Sequence, residues 1–110
     1  MSKRSDFVLI EDIKESCLKI INYTEGYTQD QFVADSKTVD AVIRNFEIIG
    51  EAANRLSDDF KDKYPTIDWH KIRGFRNRIV HDYAGVDVNI VWVIITEYLP
   101  GMFHDISAIA

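Results

Sequence analysis

Apolar positions recur at three- and four-residue steps along most of this chain, and that period is helical. From Asp6 to about Thr24, the residues Ile10, Ile13, Cys17, Ile20 and Ile21 line one face, and Gly26 closes the segment. Thr28 to Asp35 has room for one or two further turns. Thr38 to Leu56 carries the clearest stripe, with Val39, Val42, Ile43, Phe46, Ile49, Ala53 and Leu56 on one side. Ser57-Asp58-Asp59 predicts the cap of a short helical piece ending near Tyr64-Pro65, because the residue before a proline resists helix. Asp68 predicts the cap of a helix from Trp69 to about Tyr83, with Ile72, Phe75 and Ile79 inward and Ala84-Gly85 at its end. Asp87 opens the last segment, whose "VNIVWVIITEYLP" is apolar almost all round. Its β-branched residues suit a strand. Length, and the lack of a sequence partner for a sheet, favour a helix buried on more than one side, either centrally or between subunits. Pro100-Gly101 is expected to break or kink it, leaving Met102 to Ile109 as a closing turn or short helix. The pattern therefore predicts one all-α domain over residues 1–110, an antiparallel bundle of four or five helices.

Composition narrows the class. The chain is 46% hydrophobic and 28% charged, ordinary for a soluble globular protein. A domain of 110 residues buries a modest core, so sharing apolar surface with a second copy is expected. No apolar run approaches the roughly 20 residues that span a bilayer. The N-terminus turns acidic too early for a signal peptide, and the default location is cytoplasmic. The lone Cys17 excludes an internal disulfide and a cysteine-rich zinc site.

The net charge of -5 argues against a general nucleic-acid binder, but it hides an asymmetry. Residues 61–81 hold Lys61, Lys63, Lys71, Arg73, Arg76 and Arg78 against Asp62 and Asp68, a local +4 that leaves -9 for the rest. A focused positive patch on an acidic body can take a phosphate without holding long duplexes. Its densest part is "RNRIVHDY", residues 76–83. Cleaving RNA without a metal needs a base for the ribose 2′-OH, an acid for the leaving oxygen, and cations for the phosphate. His81 supplies a group that titrates near neutrality, and Arg76 a planar fork that stays charged. His70, His81 and His104 lack metal-ligand spacing, and no metal or other cofactor is expected.

Each of these residues also has a structural reading. His81 suits a helix end, favoured there by the dipole. Arg73 and Arg78 suit a solvated face, Tyr83 a packed rim, His70 and His104 the surface, and Trp69 and Trp92 the core. Glu47 and Glu51 can pair with each other or with arginines across the bundle, the structural role being favoured. Geometry adds a constraint. Arg76 and His81 lie about 140° apart around a straight helix and about 7.5 Å apart along it. One phosphate meets both only if the helix loosens near His81 or a second subunit contributes.

The string Arg76-Asn77-Arg78-Ile79-Val80-His81-Asp82-Tyr83 resembles the R-x-x-x-x-H-x-Y signature of HepT-like proteins in the HEPN superfamily. "AVIRNFEIIGEAANRLS", "YPTIDWHKIRGFRNRIVHDYAGVD" and "VWVIITEYLP" resemble the family's flanking segments, so the likeness covers nearly the whole chain. The resemblance implies a dimeric helical bundle with the signature in a cleft between protomers. It implies a metal-independent endoribonuclease, the toxin of a type VII toxin–antitoxin pair, acting on RNA and in some relatives on tRNA. Carried over, Arg76 would bind the phosphate, His81 would move protons and Asn77 would support them. Lys71, Arg73 and Arg78 would extend the RNA-binding patch. The implied partner is an MntA-like nucleotidyltransferase antitoxin that adenylylates Tyr83. A bundle of this kind can also serve as a non-catalytic, nucleotide-binding helper of such a nucleotidyltransferase.

Overall fold

Six of the described helices begin directly behind a side chain that accepts a backbone N–H. The computed structural model describes residues 5–80 and 87–109, with the side chains of 76–80 outside that description. Helix α1 (Asp6–Thr24) starts behind Ser5, whose Oγ accepts the Val8 N–H at 3.2 Å. It ends at Gly26, whose φ of 77° lies in the left-handed region that only glycine enters at little cost. Helix α2 (Gln29–Ala34) opens with a reciprocal pair: the Gln31 N–H donates to Thr28 Oγ1, and the Thr28 N–H to Gln31 Oε1. Helix α3 (Ser36–Arg55) starts behind Asp35, and helix α4 (Asp58–Asp62) behind Ser57.

The Asp6 carboxylate accepts the Ser57 N–H at 3.0 Å and the Ser57 hydroxyl at 2.8 Å. The start of α1 is thereby tied to the end of α3, and the two run antiparallel. Between them Ile10, Ile13, Cys17 and Ile20 meet Val42, Phe46, Ile49 and Ala53, all buried. Ile21 and Ile43, also expected on these stripes, are only half-buried at their edges. The buried Thr24 hydroxyl donates to the Ile20 carbonyl at 2.8 Å, so its burial leaves no unmade bond.

Helix α5 (Trp69–Val80) lies against α3, with the Phe75 ring edge-on to Phe46 at 6.0 Å. The last segment departs from expectation. Helix α6 (Val88–Val93), a π-helical turn (Ile94–Tyr98) and helix α7 (Leu99–Ser107) follow one another without a break. The Leu99 N–H bonds to the Ile94 carbonyl five residues back, which widens the turn. Pro100 then falls in the first turn of α7, where its missing N–H costs nothing, so Pro100-Gly101 does not end the helix. Short α2 packs on α6, with Phe32 and Trp92 rings 5.3 Å apart and Gln29 Nε2 donating to Asn89 Oδ1.

Among the described residues, four long helical runs with two short helices between them make an all-α bundle, and no strand occurs. None of the described helices is long and apolar enough to cross a membrane. Trp69 and Trp92 flank the core, partly exposed, instead of filling it. Glu47 pairs along its own helix with Arg44 at 3.6 Å, not with Glu51.

Candidate active site

The turn before α5 fixes where the basic segment starts. The Ile67 N–H bonds to the Tyr64 carbonyl and the Trp69 N–H to the Ile67 carbonyl, which curls Pro65-Thr66 outward and buries Ile67. Asp68 then caps the helix, its Oδ1 accepting the Lys71 N–H at 3.0 Å. Trp69 meets Phe60 edge-on at 6.4 Å, and Ile72 and Phe75 are buried. These contacts set the rotation of α5 about its axis.

Arg76, Asn77 and Arg78 occupy the last two turns of α5, as expected, with their side chains beyond description. His81 and Tyr83 lie outside the described residues, as do the expected end of the helix near Tyr83 and the Ala84-Gly85 stop. Of the expected RNA-binding residues, Lys71 and Arg73 are exposed on α5. Neither is idle. Lys71 Nζ stands 3.6 Å from the centre of the Tyr98 ring, a cation–π contact. Arg73 approaches the exposed His70 Nδ1 at 3.4 Å, which holds part of the guanidinium near the start of the helix.

Tyr98 is the residue that sequence reasoning passed over. It reads as one more apolar position of the last helix, but the π turn brings its ring over α5, 6.3 Å from Phe75. Between α5 and α7 lies a cleft of about 130 Å³ lined by Lys71, Ile72, Phe75, Tyr98, Met102 and Asp105, among others. Phe75, on this cleft, immediately precedes Arg76. Among the described residues no three His, Cys, Asp or Glu side chains gather closely enough to hold a metal ion. Cys17 plays no part in this region: it is fully buried in α1, and burial pushes its thiol up to about 12.

Known proteins resemble this chain over most of its length. Two proteins of Methanocaldococcus jannaschii, each named "Putative RNase", resemble the chain throughout. One is 37% identical over 109 residues, covering 99% of this chain and 90% of the relative. The other is 34% identical over 109 residues, covering 99% and 100%. A "Probable ribonuclease HepT" of Thermococcus cleftensis is 39% identical over 100 residues, 91% of each chain. No solved structure matches. The HepT-like family, described as ribonuclease HepT-like, matches residues 13–109, and the chain belongs to that family.

Proposed function

We propose that this protein is a metal-independent endoribonuclease, the toxin of a type VII toxin–antitoxin pair, held silent by adenylylation of Tyr83. The observation that carries the reading is the complete Arg76–His81–Tyr83 signature inside the matched span 13–109, in a family described as ribonuclease-like.

In the reaction, His81 takes the proton of a ribose 2′-OH as that oxygen attacks the adjacent phosphorus. The bond to the 5′-oxygen breaks, and that oxygen leaves with a proton from a second acid, giving a 2′,3′-cyclic phosphate and a 5′-hydroxyl. Arg76 donates two hydrogen bonds to the non-bridging oxygens as their charge grows. Asn77 steadies the pair, and Lys71, Arg73 and Arg78 hold flanking phosphates. The angle of about 140° between positions 76 and 81 on a straight helix favours a homodimer in which one protomer's Arg76 and the other's His81 face one phosphate.

The partner is an MntA-like nucleotidyltransferase. The Tyr83 hydroxyl attacks the α-phosphate of ATP, pyrophosphate leaves, and the adenylate sets negative charge and bulk beside Arg76 and His81. RNA is then repelled from the cleft, by the same electrostatics through which phosphorylation acts.

The deciding experiment is RNA cleavage in EDTA by wild-type protein free of adenylate, beside His81→Ala and Arg76→Ala. Loss of cleavage in both variants, at unchanged oligomeric size, is the expected result. A net charge of -5 favours a second reading, a non-catalytic helper subunit of the nucleotidyltransferase. Wild-type protein that leaves RNA intact would decide for it. Incubation with the nucleotidyltransferase and ATP is expected to add adenylate to the wild type and none to Tyr83→Phe.

A further inference from the structure

The cleft between α5 and α7 has no task in the reaction just described. At about 130 Å³ it is smaller than the several hundred Å³ that enclose a whole small-molecule ligand, so it suits one planar ring. Its floor is apolar, made by the buried Ile72, Phe75 and Met102, and the half-buried Tyr98 forms a wall. The rim carries opposite charges in different states. Lys71 rests its ammonium on the Tyr98 ring. Asp105, exposed on α7, has no partner among the described residues. The other carboxylate on the rim, Asp68, is occupied as the cap of α5.

We propose that this cleft reads one unpaired nucleobase, of the kind bearing an amino group on its Watson–Crick edge, in the strand cleaved next to it. The inference rests on the ribonuclease reading and deepens it with a base preference. The base stacks on Tyr98 in the place of the Lys71 ammonium. An exposed cation–π contact is weaker than a base–aromatic stack, so the exchange is downhill. Lys71, released, turns to the phosphate of the same nucleotide. The Asp105 carboxylate is an acceptor only, so it takes the amino N–H of cytosine and repels the carbonyl that uracil presents at the same position. Phe75 directly precedes Arg76, and Lys71 lies about 7.5 Å from Arg76 along α5 and about 140° around it, so the base read belongs to a neighbouring nucleotide of the strand and not to the scissile phosphate itself.

The test is equilibrium binding of fluorescein-labelled, 2′-O-methylated hexacytidylate and hexauridylate, in which the nucleophilic hydroxyl is blocked and affinity is separated from cleavage. Wild-type protein is expected to bind the cytidylate about ten-fold tighter. Asp105→Asn, at an exposed position that does not support the fold, brings the ratio near one. Tyr98→Leu weakens cytidylate binding about ten-fold, while Tyr98→Phe keeps it. Equal wild-type affinity for the two strands, or a preference that survives in Asp105→Asn, overturns the proposal. Cytidine 5′-monophosphate binding as tightly as the hexanucleotide would mark a free-nucleotide site and overturn it too. The two readings fail separately: cleavage in EDTA without base preference removes only the subsite, and base preference without cleavage removes only the nuclease.

Discussion

Replacing Phe75 by alanine tests how firmly the helix bearing Arg76 is anchored to the bundle. The side chain is 2% exposed, edge-on to Phe46 at 6.0 Å and tilted against Tyr98 at 6.3 Å. Truncating a buried phenylalanine costs about 3–5 kcal/mol through lost transfer energy and the cavity left behind. Each ring pair accounts for about 0.5–1.5 kcal/mol of that. A domain of this size has about 5–15 kcal/mol in total, so the variant folds with little margin. With a urea slope near 2 kcal/mol per molar, the unfolding midpoint should fall by about 2 M. The assay is urea denaturation of Phe46→Leu, Phe75→Leu and the double variant at one protein concentration. Leucine keeps most of the volume but not the ring contact, so the cycle should show coupling of about 0.5–1.5 kcal/mol. Coupling below about 0.3 kcal/mol, or a Phe75→Ala cost under about 1 kcal/mol, would refute the packing of α5 on α3.

Other parts of the scaffold give independent checks. The Thr38 hydroxyl, then the Tyr27 hydroxyl and the Thr38 N–H, hold the Asp35 carboxyl below its ordinary range. A depressed carboxyl stabilises the fold above its unfolded pKa of about 3.9, and the contribution disappears as pH falls through the lower folded value. Thr38→Val should therefore move the acid-unfolding midpoint to higher pH; an unchanged midpoint counts against the cluster. Cys17, buried with its thiol raised to about 12, should resist thiol reagents at neutral pH and react fully in denaturant. Rapid labelling of native protein would contradict its placement. Ser57→Ala removes the α4 cap and one bond to Asp6, and should cost about 1–2 kcal/mol in thermal unfolding. A loss of a few tenths would mean that the tie between α1 and α3 is slack.

Caps and periods act over three or four residues, which is why so much of the fold is legible in the sequence. Asp68, Ser57 and Asp87 start helices where they stand, and Gly26 stops one. The stripe from Val39 to Ala53 shows which side of α3 is inward. What a stripe does not carry is the hydrogen-bond register inside a helix that is apolar on most sides, so the π turn and the position of Tyr98 had no local signal strong enough to announce them. Glu47 illustrates the same limit: a bond to Arg44 along one helix and a bond across the bundle leave the same residues in the sequence. The candidate site is legible differently. Arg76 and Asn77 are named by a motif, and only their helix and its anchoring belong to packing.

The π turn also lets this helix carry one residue more than a regular turn holds. Val91, Ile95 and Leu99, all buried, are spaced four and four, and each such step overshoots a regular turn by about 40°. One widened turn absorbs the slip and returns Leu99, Met102 and Ile106 to the core. Deleting a single residue, Thr96 for instance, would leave a smooth helix of the same hand and nearly the same length. Everything beyond it would stay in phase to within about 20°, because the seven steps left between Val91 and Leu99 make about 700°, close to two full turns. Met102 and Asp105 would therefore still face α5, and the widened turn amounts to one residue inserted into an otherwise regular helix.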